Sequence, residues 1–247
     1  MHAIILAAGV GNRISAAHAG PKCLLEFGDR SLLQRHLLNL ESLGVSNLTL
    51  VLGHQPDAIV AAAQRFGSVR TIAHFNPLYR LGSIVSLWAA RQALLSGDDI
   101  VLMDADVLYH SKILEQLVRA PRGNYFMLDE DFEPGDEPVK ICIDGDQIVE
   151  FRKQLPDGLV YNWIGESVGF FRFTPDCARS LATLSAQYVA DGRRELPHEE
   201  LLREIALSSS HKIDIVKVTG LPWVEIDFPE DITRAKDQIL PLLENSS

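Results

Sequence analysis

The chain has 247 residues, 47% of them hydrophobic, with 23 Lys and Arg against 33 Asp and Glu and a formal charge of -10. Acidic residues spread along the chain argue against a groove that tracks nucleic acid, while leaving room for a few clustered cations that hold a small anion. Cys23, Cys142 and Cys177 are too scattered for a disulfide framework or a zinc site, and no apolar run reaches the ~18 residues of a membrane span. A cytoplasmic chain without membrane insertion is expected.

Strand and helix alternate through the first half. An apolar strand at 3–6 leads to a helix near 31–43, with Ser31 as N-cap, Leu33, Leu37 and Leu40 on one face, and Gly44 placed for a left-handed C-cap. A strand at 48–52, a helix at 56–66, a strand at 70–75, a helix at 83–95 and a strand at 99–103 continue the pattern, which is the grammar of parallel strands covered by helices. Beyond about residue 124 the texture turns antiparallel, with strands at 139–143 and 147–151 around a turn at Asp144-Gly145. Helices near 175–189, 197–206 and 230–243 close the chain. No repeat or linker divides it, so one domain spanning 1–247 is expected, with a nucleotide-binding half (1–123) and an acceptor-binding half (124–247).

The loop after the first strand reads Leu6-Ala7-Ala8-Gly9-Val10-Gly11-Asn12-Arg13, and Pro21-Lys22 follows it. Gly9 and Gly11 let the backbone approach phosphate oxygens with its N–H groups, while Arg13 and Lys22 supply charge-assisted donors. The Walker pattern is absent, as are the third glycine and downstream acid of a dinucleotide fingerprint. A lone Gly-x-Gly is more often a plain turn, but strand, glycines, Arg and Pro-Lys together point to a triphosphate. Asp104-Ala105-Asp106 stands at the carboxyl end of a buried strand, where open parallel sheets place their ligands, and hard carboxylate oxygens there suit Mg²⁺. Asp227 ends a second short strand, Trp223-Val224-Glu225-Ile226, and with Asp106 can share one metal. Asp104 as a turn cap and Asp227 as the N-cap of the next helix are the alternatives.

These segments together resemble the nucleotidyltransferase family that activates sugar and alcohol phosphates, over nearly the whole chain. Within it the phosphocholine, 2-aminoethylphosphonate and inositol-1-phosphate cytidylyltransferases are the more similar branch. The resemblance implies an α/β fold: a Rossmann-like, mixed, mainly parallel sheet flanked by helices, with a small antiparallel acceptor-site subregion. It implies CTP or another NTP and a small alcohol phosphate or phosphonate as partners, and Mg²⁺ on Asp106 and Asp227. Lys22 falls at the α-phosphate and attacking group, and Arg13 at the leaving pyrophosphate. Leu6, Ala7, Ala8, Gly9, Gly11, Asn76, Gly82, Ser83 and Asp104 fall in the nucleotide site. Lys153 and Lys140 fall near the acceptor phosphate, a solvated strand lysine being the alternative for either.

Sugar-activating members continue the loop with Pro-Leu-Thr after the arginine; here Ile14-Ser15-Ala16-Ala17-His18 stands instead, which lends a sugar-1-phosphate acceptor with UTP or dTTP less support. For the acceptor pocket, Trp163 reads as part of a polar loop with Gly165-Glu166-Ser167, so Trp163 and Glu166 are candidates, whereas Trp88 reads as core. Asp129, Glu130, Asp131, Glu133, Asp136 and Glu137 either attract a cationic head group or form a solvated loop. His198-Glu199-Glu200 lacks the second histidine of a zincin, so no zinc is assigned. Asp104-x-Asp106 also fits a glycosyltransferase, but that chemistry needs no cradle for pyrophosphate. Oligomeric state is open, a homodimer included.

Overall fold

The computed structural model describes residues 1–14, 18, 20–65 and 69–244. β1 (His2–Ala7) is flanked by two parallel partners later in the chain. A small hairpin, β2 (Glu26–Phe27) and β3 (Arg30–Ser31), leads into α1 (Leu32–Ser42). The α1 ends follow the sequence reading: the Ser31 hydroxyl accepts from the Gln34 N–H at 3.2 Å, and Gly44 turns left-handed at φ +73°. The Gly44 N–H donates to the Glu41 carbonyl and the Val45 N–H to the Leu40 carbonyl, the paired bonds that close a helix through a left-handed glycine.

β4 (Asn47–Leu52), α2 (Pro56–Arg65) and β5 (Arg70–Phe75) match the expected spans, except that Phe66, the expected end of α2, lies outside the described residues. The helix expected at 83–95 is instead two pieces, α3 (Ile84–Ala89) and α4 (Arg91–Leu94). The Ala90 N–H is divided between the Ser86 and Leu87 carbonyls, a tightened turn that ends one helix before the next begins. Trp88 is half-buried against the core with the Arg91 guanidinium 4.3 Å over its ring.

β6 (Ile100–Asp104) pairs with β1 so that Leu6 stands beside Asp104. It is followed by a three-residue strand, β7 (Val107–Tyr109), then α5 (Ser111–Arg119) and β8 (Asn124–Asp129). The expected hairpin forms from β9 (Lys140–Asp144) and β10 (Gln147–Arg152), with Gly145 at φ +63° as first residue of the two-residue turn. β11 (Trp163–Phe173), α6 (Pro175–Ala190), α7 (Glu199–Leu207), β12 (Ile213–Lys217) and β13 (Trp223–Glu225) complete the sheets. The last expected helix is interrupted: α8 (Pro229–Arg234) passes through a π turn over Ala235–Ile239 into α9 (Leu240–Glu244). Pro241 has no N–H to give to the preceding turn, which breaks the regular ladder.

The main sheet runs β10-β9-β11-β6-β1-β4-β5, with β8 and β12 branching from β11. β6, β1, β4 and β5 are mutually parallel, and β8 and β12 form a further parallel pair. The antiparallel additions all run through β11 or the β9–β10 hairpin. Leu102 and Val51 face one core with Leu87, Leu181 and Leu202; Met103 and Leu50 face another with Leu37, Ile59 and Leu114. Helices therefore cover both faces of the parallel block, as alternating buried residues on its strands require.

β11 bends where its register with β8 shifts between Ser167 and Phe171, around Gly169 at φ +79°. A Cβ on Gly169 would lie 2.5 Å from Asp104 Oδ2. Gly169→Ala therefore combines a strained backbone with a clash, and an expected loss of about 2–3 kcal/mol is checked by thermal or denaturant unfolding.

Candidate active site

The candidate side chains converge on the carboxyl ends of β1 and β6. After β1 the chain makes a tight turn, with the Ile14 N–H donating to the Gly11 carbonyl at 3.1 Å and Ile14 fully buried as its anchor. Gly11 is at φ +68°, and a Cβ there would approach the Lys22 stem at 3.2 Å, so glycine lets the lysine cross beneath the loop. A one-turn helix over Lys22–Leu24 then aims Lys22 inward.

Asp106 and Asp227, 121 positions apart in sequence, meet through a short ladder. β13 pairs antiparallel with β7, Glu225 opposite Val107, and the Ile226 N–H donates to the Asp106 carbonyl at 2.9 Å. Lys22 Nζ sits between the two acids, 2.9 Å from Asp106 Oδ2 and 2.6 Å from Asp227 Oδ1. Arg13 Nη1 adds a second cation 3.1 Å from Asp227 Oδ2, with its guanidinium over the Phe228 ring. Asp227 is not the cap of α8: Phe228 holds the N-cap position, the Asp231 carboxylate accepts from the Asp227 and Phe228 N–H groups, and the Asp227 carboxylate itself bonds Lys22 and Arg13.

Oxygens of Asp106, Glu225 and Asp227 lie within 4.8 Å of one another. Burial disfavours charge here, yet the outcomes differ. Burial opposes a charged Lys22, but Asp106 and Asp227 outweigh it and raise its pKa above the ordinary lysine value. Burial also works against ionised Asp227, and Lys22, with Arg13 and Lys153, overcomes it and holds the carboxyl below its usual range. Glu225 has burial and three neighbouring aspartates against its charge, so its pKa is raised well above the carboxylate range. Asp104 is likewise raised, by burial and then by Glu199, Asp106 and Asp227.

A cleft of about 290 Å³ runs over this centre, lined by Leu6, Ala7, Gly9, Gly11, Arg13 and Lys22 on one side and Asp106 and Asp227 on the other. It meets a cavity of about 540 Å³ at Asp227. That cavity is walled by Asp129, Asp131, Glu133, Asp136 and Glu137, so the acidic stretch forms a wall of the site. Glu166 also lines it, with its pKa pushed up to about 7 by burial and by Asp129.

Other candidates sit differently from their sequence reading. Trp163 opens β11, opposite Ile143, and its ring is covered by the Lys217 ammonium at 4.0 Å; it is a strand residue that lines neither cavity. The polar Glu166 and Ser167 and the two glycines of β11 hid this strand in the sequence. Lys140 spends its ammonium on the carbonyls of Gly135, Pro138 and Lys153, which ties the acidic wall to the hairpin. Lys153 instead bonds Glu137 at 3.0 Å, and Glu137 also bonds Arg13 at 3.2 Å, so Lys153 joins the rim of the cleft.

Asn76 is buried with both side-chain ends occupied, by the Leu78 N–H and by Ser86 Oγ, so it shapes the turn before α3. The Gly82 N–H donates to the Arg194 carbonyl, and Ser83 is bonded to His198. Of the substituted loop after Arg13, residues 15–17 lie outside the described residues. The sequence reading had not singled out Glu225 as a site residue, and it named Glu137 only as one of the acidic stretch. Glu225 carried a signal, since it stands two places before Asp227 and a strand returns to the same face every second residue.

A glycine loop, two cations and a carboxylate group thus meet at the carboxyl edge of the parallel strands. The chain belongs to the MobA-like NTP transferase domain family, whose sequence profile matches residues 3–198. It is similar to the bifunctional IPC transferase and DIPP synthase of Rubrobacter xylanophilus, 26% identical over 243 residues that cover 96% of this chain and 52% of that protein. The chain thus spans about half the length of that relative. It also resembles the CTP:phosphoglutamine cytidylyltransferase of Campylobacter jejuni, 21% identical with 94% and 98% of the two chains covered. The solved inositol-1-phosphate CTP transferase from T. maritima shares the fold, with TM-score 0.79, 19% identity, and 98% of this chain and 94% of that chain covered. No helix among the described residues is long and apolar enough to cross a membrane.

Proposed function

We propose that the protein transfers CMP from CTP to a small phosphorylated or phosphonylated alcohol of the phosphocholine or 2-aminoethylphosphonate type and releases pyrophosphate, using Mg²⁺. The observation that carries this reading is the Lys22 ammonium held between Asp106 and Asp227 beneath the glycine loop. A cation beside hard oxygen ligands supports a site where a metal and a triphosphate would meet. Printed activities of relatives, cytidylyl transfer to phosphoglutamine among them, support CTP as the donor. Three carboxylates with only oxygen donors fit Mg²⁺, so Asp106 and Asp227, with Glu225, would hold it. Bound there, Mg²⁺ would supply charge stabilisation to the phosphates.

The remaining chemistry belongs to the chain. The attacking group is an already ionised phosphate or phosphonate oxygen, so no general base is needed. Once its carboxylates have another partner, Lys22 is free to face the α-phosphate, Arg13 the leaving pyrophosphate, and loop N–H groups the remaining oxygens. Both halves of the chain supply site residues, which supports one working domain over 1–247. Three buried, free cysteines support a cytoplasmic setting.

Nine acidic residues and one arginine, Arg234, line the larger cavity, which favours an acceptor with a cationic head over a neutral sugar. Glu166 gives this a pH signature. With its pKa near 7 it gains its charge as pH rises, so KM for 2-aminoethylphosphonate should fall between pH 6 and 8. Glu166→Gln should remove the part of that trend that an acceptor with an uncharged head, whose phosphate ionises over the same range, does not share. The activity itself is tested by pyrophosphate release with each of the four NTPs and a panel of phosphocholine, 2-aminoethylphosphonate, inositol phosphate, glycerol phosphate and sugar-1-phosphates. A CTP-specific signal with one alcohol phosphate or phosphonate supports the reading, whereas UTP or dTTP with a sugar phosphate replaces it.

A further inference from the structure

One polar residue stands on the apolar face of α1. His36 shares that face with Leu33, Leu37 and Leu40 and is fully buried, its ring 5.3 Å from the Tyr109 ring and 6.0 Å from that of Phe170. Burial pulls its pKa down to about 4, so the imidazole is neutral and carries one proton. Nε2 lies 3.3 Å from the Ala105 carbonyl, which can only accept, so the proton is on Nε2. Nδ1 is then an acceptor, and the Tyr109 hydroxyl 3.3 Å away donates to it. Burying an imidazole costs desolvation that another leucine would not, and both of its bonds go to one short stretch of chain.

Ala105 and Tyr109 are the first and last residues of the stretch that follows β6, carries Asp106 and forms β7. The ring ties both ends of it to α1. The Ala105 carbonyl belongs to the peptide unit just before the Asp106 Cα. The unit just after it is held from the other side, where the Ile226 N–H donates to the Asp106 carbonyl at 2.9 Å. With both flanking peptide planes bonded, φ and ψ of Asp106 are both constrained. Ile226 stands between Glu225 and Asp227, so these two bonds fix the Asp106 backbone relative to the other two acids, whose oxygens lie within 4.8 Å of its own.

We propose that His36 is a positioning residue for the metal centre: its bond to the Ala105 carbonyl holds Asp106 where the three carboxylates can share a divalent cation. The proposal rests on the reading of Asp106 as a metal ligand, and not on the identity of nucleotide or acceptor. Groups that orient a ligand without touching the metal change its affinity by roughly ten- to a hundredfold. The test is titration of the substrate-free protein with Mn²⁺, followed by the paramagnetic resonance of the free ion, with the metal-free Tm of each variant measured alongside. His36→Leu fills the space of the ring without a donor and should weaken Mn²⁺ binding about tenfold or more. His36→Asn, whose amide reaches the Nδ1 position only, should do the same, and it carries the test if the leucine variant does not fold. His36→Gln, whose amide nitrogen reaches near the Nε2 position, should recover most of the affinity even where its Tm stays low.

Native Mn²⁺ affinity in the leucine and asparagine variants, whatever their Tm, overturns the proposal and leaves His36 a core residue. A glutamine variant as weak as the leucine one also overturns it, because the Ala105 bond is then not the cause. Asp106→Asn separates this failure from that of the metal reading: if it binds Mn²⁺ as the native protein does, the metal assignment falls and the proposal with it.

Discussion

Asp227→Asn is expected to lower kcat roughly a thousandfold while leaving the protein folded, and Asp106→Asn to do the same. The size follows from losing charged ligation where negative charge builds on transferring phosphates, which mutational precedent places at several kcal/mol. Both substitutions preserve side-chain shape, so neither opens a cavity, and each still leaves Lys22 one carboxylate partner. The loss should appear in kcat at saturating Mg²⁺ and be partly relieved by a metal that tolerates weaker ligation, such as Mn²⁺. Glu225→Gln separates a ligand from a bystander: a raised Mg²⁺ requirement makes Glu225 a third ligand. Near-normal turnover of Asp106→Asn or Asp227→Asn in magnesium would remove the metal assignment.

Lys22→Met should show the opposite combination, a large loss of turnover joined to a stability defect that metal repairs. In the folded protein Lys22 neutralises Asp106 and Asp227, and the pair is shielded enough that breaking it should cost about 2–3 kcal/mol, which in a chain of this size is roughly 5–10 °C in Tm. The pH dependence of that defect has a definite sign. In the native protein Asp227 titrates below its unfolded value, so its contribution is present above the ordinary carboxylate pKa and is lost as pH falls through the depressed one. Lys22 titrates above its unfolded value, so its contribution is present below the ordinary lysine pKa and is lost only as pH rises through the raised one. Without Lys22, the clustered acids hold protons more tightly folded than unfolded, and stability should instead fall as pH rises above the carboxylate range. Added Mg²⁺ should raise Tm more in Lys22→Met than in the native protein, because the ion no longer competes with an ammonium. An unchanged metal-free Tm would mean the ion pair contributes nothing net.

The parallel half of the fold was legible because its signals are local. Ser31 and Gly44 bound α1, and the apolar runs of β1 and β6 end in Ala7 and Asp104 while Gly53 follows that of β4. The loop and its cations were readable for the same reason: Gly9, Gly11, Arg13, Lys22 and Asp106 now line one cleft. What escaped depended on distant partners. β11 is held by three neighbours, β6, β8 and β9, so it tolerates Gly165, Glu166 and Gly169, which in isolation spell a loop. Lys140 looked available for a phosphate because nothing in sequence shows that the Gly135, Pro138 and Lys153 carbonyls surround it. Local sequence could not decide between cap and ligand for Asp227; in the structure α8 starts one place later, with Phe228 at the N-cap, and the Asp227 carboxylate turns to Lys22 and Arg13, which are distant in sequence. His198 was read only as half of a missing zinc motif, because its hydrogen-bond partner Ser83 lies 115 positions away.

In the proposed reaction this chain breaks the bond between the α- and β-phosphates of CTP and joins CMP to a phosphate or phosphonate oxygen. This is tested most directly by mass spectrometry of a reaction containing CTP, Mg²⁺ and 2-aminoethylphosphonate or phosphocholine, with pyrophosphate measured in the same sample. A CMP-acceptor conjugate and pyrophosphate should form in equal amounts, and both should be abolished in Asp227→Asn. Orthophosphate in place of pyrophosphate, or intact CTP alongside every acceptor in the panel, would contradict it.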